Sequence, residues 1–95
     1  MSEFEKRYAA LRERFMHSLP ERLEAICSAL RKRDLVMARR HVHNLKGTAD
    51  SLEATELAAK MRTIETRLDA ALAGDALRED EWSALEAQCK SESIR

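Results

Sequence analysis

Three residues of this chain have types and spacing that suit phosphoryl chemistry: His43, Lys46 and Gly47, in the run His43-Asn44-Leu45-Lys46-Gly47. Around them, Leu35, Ala38, Val42, Leu45, Ala49 and Leu52 recur every three or four residues. That spacing is one buried stripe on an α-helix. At about 100° per residue, His43 points roughly 130° away from the stripe, so its imidazole should face water. Lys46 and Gly47 follow at i+3 and i+4 on the same flank, and Val36, Arg39 and Asp50 share it. Glycine inside a helix costs roughly 0.5–1 kcal/mol relative to alanine. The stripe runs on past Gly47, so this glycine does not mark a helix end. Absence of bulk beside His43 is the simpler reason for it. A neutral imidazole nitrogen is a nucleophile, and the reference histidine pKa near 6.5 leaves much of it neutral at physiological pH. An ammonium one turn away would offset a phosphoryl charge of about −2. Without that context, His43 would read as a solvated surface histidine and Lys46 as one charge among many.

The stretch resembles the histidine-containing phosphotransfer (HPt) domains of multistep two-component phosphorelays. Their signature is H-x-L-K-G, a small residue, several variable positions, then glycine, a small residue and a leucine three further on. His43, Leu45, Lys46, Gly47, Thr48, Ala54 and Leu57 fit those slots, and Glu53 stands where the family has glycine. The resemblance implies a phosphocarrier without autokinase activity, not an enzyme. It implies His43 as phosphoacceptor, Lys46 as charge stabiliser, and Val36, Arg39, Gly47 and Asp50 as partner-binding residues. The implied partners are response-regulator receiver domains and a hybrid sensor kinase. No cofactor would be bound by this chain, and Mg²⁺ would come from the receiver. The competing class is a helical interaction or adaptor module that binds a signalling partner without phosphotransfer.

The other chemistry-bearing residues offer less. His41 lies about 200° from His43 around the helix, so the two cannot share a metal on one regular helix. No Cys/His cluster, HExxH or glycine-rich phosphate loop occurs, so neither a metal site nor a nucleotide site is expected. The carboxylates read as spread over solvated faces, with no acid/base pair among them. Cys27 and Cys89 have no metal or redox spacing and read as semi-buried thiols in a reducing compartment.

The elements that must position His43 are helical throughout. The chain has 95 residues, with 2 glycines and 1 proline, which suits one all-α domain over residues 1–95. A formal net charge of zero argues against nucleic-acid binding. No apolar run spans a membrane and no signal-peptide pattern opens the chain, so a cytoplasmic setting is expected. Phe4, Tyr8, Leu11 and Phe15 form a first stripe, and Leu19, Leu23, Ile26 and Leu30 continue it nearly in phase. Pro20 stands between them, and Ser18 with Glu21 offers a capping box, so a break or kink is expected near 18–20. One long bent helix is the alternative. Asp34 suits the N-cap of the His43 helix, which should run from about 35 to 52. A turn near Glu53 leads to a helix carrying Leu57 through Leu72, with Gly74 as its stop. Trp82, Leu85 and Cys89 mark a last helix over 78–90, and residues 91–95 should fray. Short connections make an up-and-down antiparallel helical bundle the natural product, and the resemblance implies the same, a four-helix bundle with an additional N-terminal helical segment.

Overall fold

The computed structural model describes residues 1–93 and contains, among them, four helices and no strand. They are α1 (Glu3–Arg31), α2 (Leu35–Ser51), α3 (Thr55–Leu72) and α4 (Glu79–Ser93). Residues 91–93 continue α4. The fraying expected at residues 94–95 lies outside the described residues.

Each boundary has a chemical cause. Ser2 caps α1 by accepting from the Glu5 N–H at 3.1 Å, and Asp34 caps α2 by accepting from the Met37 N–H at 3.1 Å. All three helix-to-helix turns end in the same left-handed stop. Arg33 has φ +59°, Glu53 +60° and Gly74 +115°. In each, the next residue's N–H reaches back five positions: Asp34 to Ala29, Ala54 to Ala49, Asp75 to Ala70, at 2.8–3.0 Å. The Glu81 side chain accepts from the Arg78 N–H and closes the start of α4.

The expected break at Pro20 does not occur; α1 runs through it. Two facts account for this. The apolar stripe keeps its phase across the proline, so Phe15, Leu23, Ile26 and Leu30 all bury on one face. Pro20 and Met16 are both exposed, so the helix hydrogen bond that the proline removes lies on the solvent side of α1, away from the core. Ser18, instead of capping, donates to the Phe15 carbonyl at 2.9 Å. The additional N-terminal segment is therefore the first half of α1.

Helix α2 packs against α3 and α1, and α1 packs against α4. Connections of three residues, 32–34 and 52–54, turn the chain back on itself twice. The core is aliphatic: Leu23, Ile26 and Leu30 from α1, Val42 and Leu45 from α2, Met61, Ile64 and Leu68 from α3. Trp82, Leu85 and Cys89 close it from α4. Each such side chain contributes about 1.5–3 kcal/mol when fully buried. Both cysteines are fully buried, not semi-buried, and burial, then Glu24 and Glu86, pushes the Cys27 thiol up.

The longer connection, 73–78, is held by one side chain. Arg67 forks onto Glu81 at 2.8 and 3.0 Å and donates to the Asp75 and Ala76 carbonyls. The Arg67 bonds and the Arg78 N–H hold the Glu81 carboxyl down at about 2. The 29 residues of α1 exceed the other helices, and the molecule is 50 Å long but only 24 by 18 Å across. Helices of roughly 25 Å cannot cover an α1 of roughly 44 Å. Core burial accordingly begins at Phe15, while Phe4 and Leu11 stay exposed and Tyr8 is half-buried.

Candidate functional site

The apolar face of α2 buries Ala38, Val42, Leu45 and Ala49 completely, which fixes the helix rotation and turns His43 outward. The His43 side chain is 51% exposed. Its ring is not free, however. Nδ1 lies 2.6 Å from Oε2 of Glu65, a residue of α3. The same carboxylate takes the Lys46 ammonium on Oε1 at 2.5 Å, and the Arg39 guanidinium stands 3.5 Å from Oε2. Arg39 is bonded more closely to Asp69, at 2.9 Å.

Glu65 is the one buried charged residue among the described residues, at 6% exposure. Burial pushes its carboxyl up, but hydrogen bonds from Lys46 and His43 outweigh that, and it is held below the ordinary value. It is therefore ionised at neutral pH, and an ionised carboxylate only accepts hydrogen bonds. The short contact to His43 thus requires a proton on Nδ1. In a neutral imidazole, that leaves the lone pair on Nε2, across the ring. The arrangement presents a nucleophilic nitrogen at a surface and holds its tautomer from behind.

Sequence reasoning missed Glu65, having placed every carboxylate on a solvated face. A signal was present. Glu65 follows Met61 by four and precedes Leu68 by three, so it sits inside the apolar stripe of α3. A carboxylate in a buried stripe calls for partners.

The structure brings Arg39, His43 and Lys46 together around Glu65. Val36 is 59% exposed on the same flank, and Asp50 is exposed and ion-paired with Arg62 at 3.6 Å. Gly47 faces open space: a Cβ built there would meet no atom within 4 Å. His41 lies outside this cluster, and His17 stands 4.0 Å from Glu13 on exposed α1.

On the other side of His43 lies a shallow open groove. Leu11 and Arg22 of α1 line it opposite His43, Asn44, Gly47 and Thr48 of α2. Arg22 donates to the Thr48 hydroxyl at 3.2 Å, and that hydroxyl donates to the Asn44 carbonyl at 3.1 Å. Arg12 reaches over from α1 to the Leu52 carbonyl at the groove's end.

A family model, that of the Hpt domain, matches residues 10–92. No curated protein and no solved structure gives a match. The match runs from the first half of α1 to the last turn of α4, over the whole four-helix architecture and its outward-facing histidine. The chain belongs to the Hpt domain family, the histidine phosphotransfer modules of two-component phosphorelays.

Proposed function

We propose that His43 is the phosphoacceptor of a relay step between receiver-domain aspartates. The observation that carries this is the Glu65 bond to Nδ1, which leaves Nε2 as the lone-pair nitrogen on a half-exposed ring. Nε2 attacks the phosphorus of an aspartyl phosphate on one receiver. The N–P bond forms as the acyl O–P bond breaks, and the aspartate leaves as a carboxylate. The Nδ1 proton stays on its bond to Glu65, which offsets the positive charge the ring acquires. The reverse attack, by an aspartate of a second receiver, takes the group onward.

In-line phosphoryl transfer needs positioning and charge neutralisation more than covalent help. An exposed helix face suits that role, because the partner closes the site when it docks. The receiver supplies Mg²⁺ and the acidic pocket; this chain supplies His43, the Lys46 charge behind it and the flank of Val36, Arg39, Gly47 and Asp50. A hybrid sensor kinase is the proposed source of the phosphoryl group. The chain acts as one phosphocarrier domain over 1–95, without autokinase activity, in the cytoplasm. None of the described helices is long and apolar enough to cross a membrane.

The test is labelling by a phosphorylated receiver. His43→Gln abolishes acid-labile, base-stable labelling, whereas His41→Gln and His17→Gln retain it. A His43→Gln protein that still labels would refute the assignment, and a parent chain that binds the receiver but never labels would make it an adaptor.

A further inference from the structure

We infer that Arg22, on α1, is the cation that receives the phosphoryl group on Nε2 of His43. The inference rests on His43 being the phosphoacceptor. The cation nearest in sequence, Lys46, is committed: its ammonium lies on Glu65, and Arg39 is shared between Glu65 and Asp69. Both stand on the α3 side of α2, where Nδ1 points. Around the α2 axis, at about 100° per residue, Lys46 and Arg39 fall to one side of His43, and Gly47 and Thr48 to the other. His43 itself lines the groove on the α1 side, and with Nδ1 held by α3, Nε2 is the ring nitrogen left for that side. Arg22 is the one charged side chain lining that groove beside the neutral His43, and no carboxylate lines it.

Arg22 is also uncommitted in charge. Among the described residues it has no carboxylate partner. Its contacts are a neutral hydroxyl, Thr48 Oγ1 at 3.2 Å, and the Phe15 ring at 5.9 Å. The Thr48 bond holds the guanidinium beside the groove with most of its five donors unspent. Between Thr48 and His43 stands Gly47, where no side chain intervenes and the space is open. An Nε2 phosphoryl group brings about two negative charges and three acceptor oxygens into that gap. A guanidinium presents a planar fork suited to two of those oxygens.

The experiment uses phosphoramidate as a small donor, so that receiver docking plays no part. His43 Nε2 attacks its phosphorus, the N–P bond to the ammonium group breaks, ammonia leaves, and the Nδ1 proton remains. In the parent protein, phosphorylation shifts the Arg22 Nε–H signal in ¹⁵N–¹H spectra, and His43→Gln treated alike shows no shift. Arg22→Gln labels roughly two- to fivefold more slowly, with the deficit shrinking as salt rises, as the loss of a solvent-screened charge attraction requires. Arg22→Lys keeps most of the rate. If the parent labels at His43 while the Arg22 signal stays still and Arg22→Gln keeps the parent rate, the inference is overturned and the phosphoacceptor stands. An Arg22→Lys protein as slow as Arg22→Gln also overturns it, because charge then plays no part. If the parent does not label at His43, both fall together. The signal of the unmodified chain decides the matter even where a substitution perturbs folding.

Discussion

An imidazole can accept a phosphoryl group on either nitrogen, and on the proposed function Glu65, on another helix, makes that choice at His43 by occupying Nδ1. That carboxylate also takes the Lys46 ammonium, which gives the lysine a structural partner besides the charge-stabilising role proposed for it. An exposed lysine would contribute little to stability. The Lys46 side chain is only 22% exposed, and its partner's is 8% exposed. Truncating one partner of a buried ion pair leaves the other charge poorly compensated. Lys46→Ala is therefore expected to destabilise the bundle by about 1–2 kcal/mol, in addition to slowing phosphotransfer. It should also move the Glu65 carboxyl upward, because the strongest bond holding it down is gone. The sign of the pH effect follows. A carboxyl held below its unfolded value of 4.5 contributes stability that is complete above that value and is lost as pH falls through the folded one. The parent should keep this contribution to lower pH than Lys46→Ala. Acid unfolding of the two proteins, with a ¹³C titration of Glu65, checks both points, and superimposable acid transitions would remove Lys46 from the stability network. The outward aim of His43 was legible from helical spacing, because it depends only on the α2 stripe. The Glu65 bond was not, because it joins residues 22 apart in the chain and depends on how α3 is rotated against α2.

At the scale of the elements, the helix stops tell how much backbone geometry a sequence departure changes. Glu53 occupies the position where related domains carry glycine, yet its φ of +60° is the left-handed stop. The turn adopts the backbone geometry that glycine favours, with a glutamate in that place. Holding a non-glycine residue there costs about 1–2 kcal/mol, and glycine gives back roughly 0.5–1 kcal/mol through unfolded-chain entropy. Glu53 is exposed and forms no ion pair in the described structure. Glu53→Gly should therefore stabilise the protein by about 0.5–1 kcal/mol, measured as a higher denaturation midpoint with an unchanged slope. A clear loss of stability would show that the glutamate side chain supports the turn. Arg33, at +59°, provides the contrast. It stacks 4.9 Å over Trp82, bonds Glu79 at 2.8 Å and returns to the Leu30 carbonyl, so the strain there is offset by contacts that glycine lacks. Helix periodicity identified every element of the bundle. Pro20 misled because its local signal, a cap before a proline, is genuine, while the decision lay with the continuous face formed by Phe15, Leu23 and Ile26.

For the whole molecule, the question is what the bundle presents to a partner. The core lies on the inner faces of α1–α4, and the exposed positions of the His43 flank, unlike the Lys46–Glu65 pair, stand outside it. Gly47 tests this most sharply. If it were a packing glycine, a side chain there would strike a neighbouring helix. Instead, a Cβ would meet nothing within 4 Å, and the residue has no positive φ to protect. Gly47→Gln replaces a poor helix former in mid-helix with a good one, so stability should hold or rise by about 0.5–1 kcal/mol. Function should move the other way. On the proposed function, a receiver aspartate comes in line with Nε2 through the open space over Gly47. A glutamine there projects into it and also fills the ground between His43 and Arg22. Transfer from a phosphorylated receiver should fall by at least about tenfold, the equivalent of ~1.4 kcal/mol in the barrier. Phosphoramidate needs no docking face, so its labelling of His43 should fall far less. Thermal unfolding and the two labelling rates, measured on this one variant, separate the possibilities. A sharply lower melting temperature would return Gly47 to the core, and an unimpaired receiver reaction would mean that the partner approaches His43 from the other side.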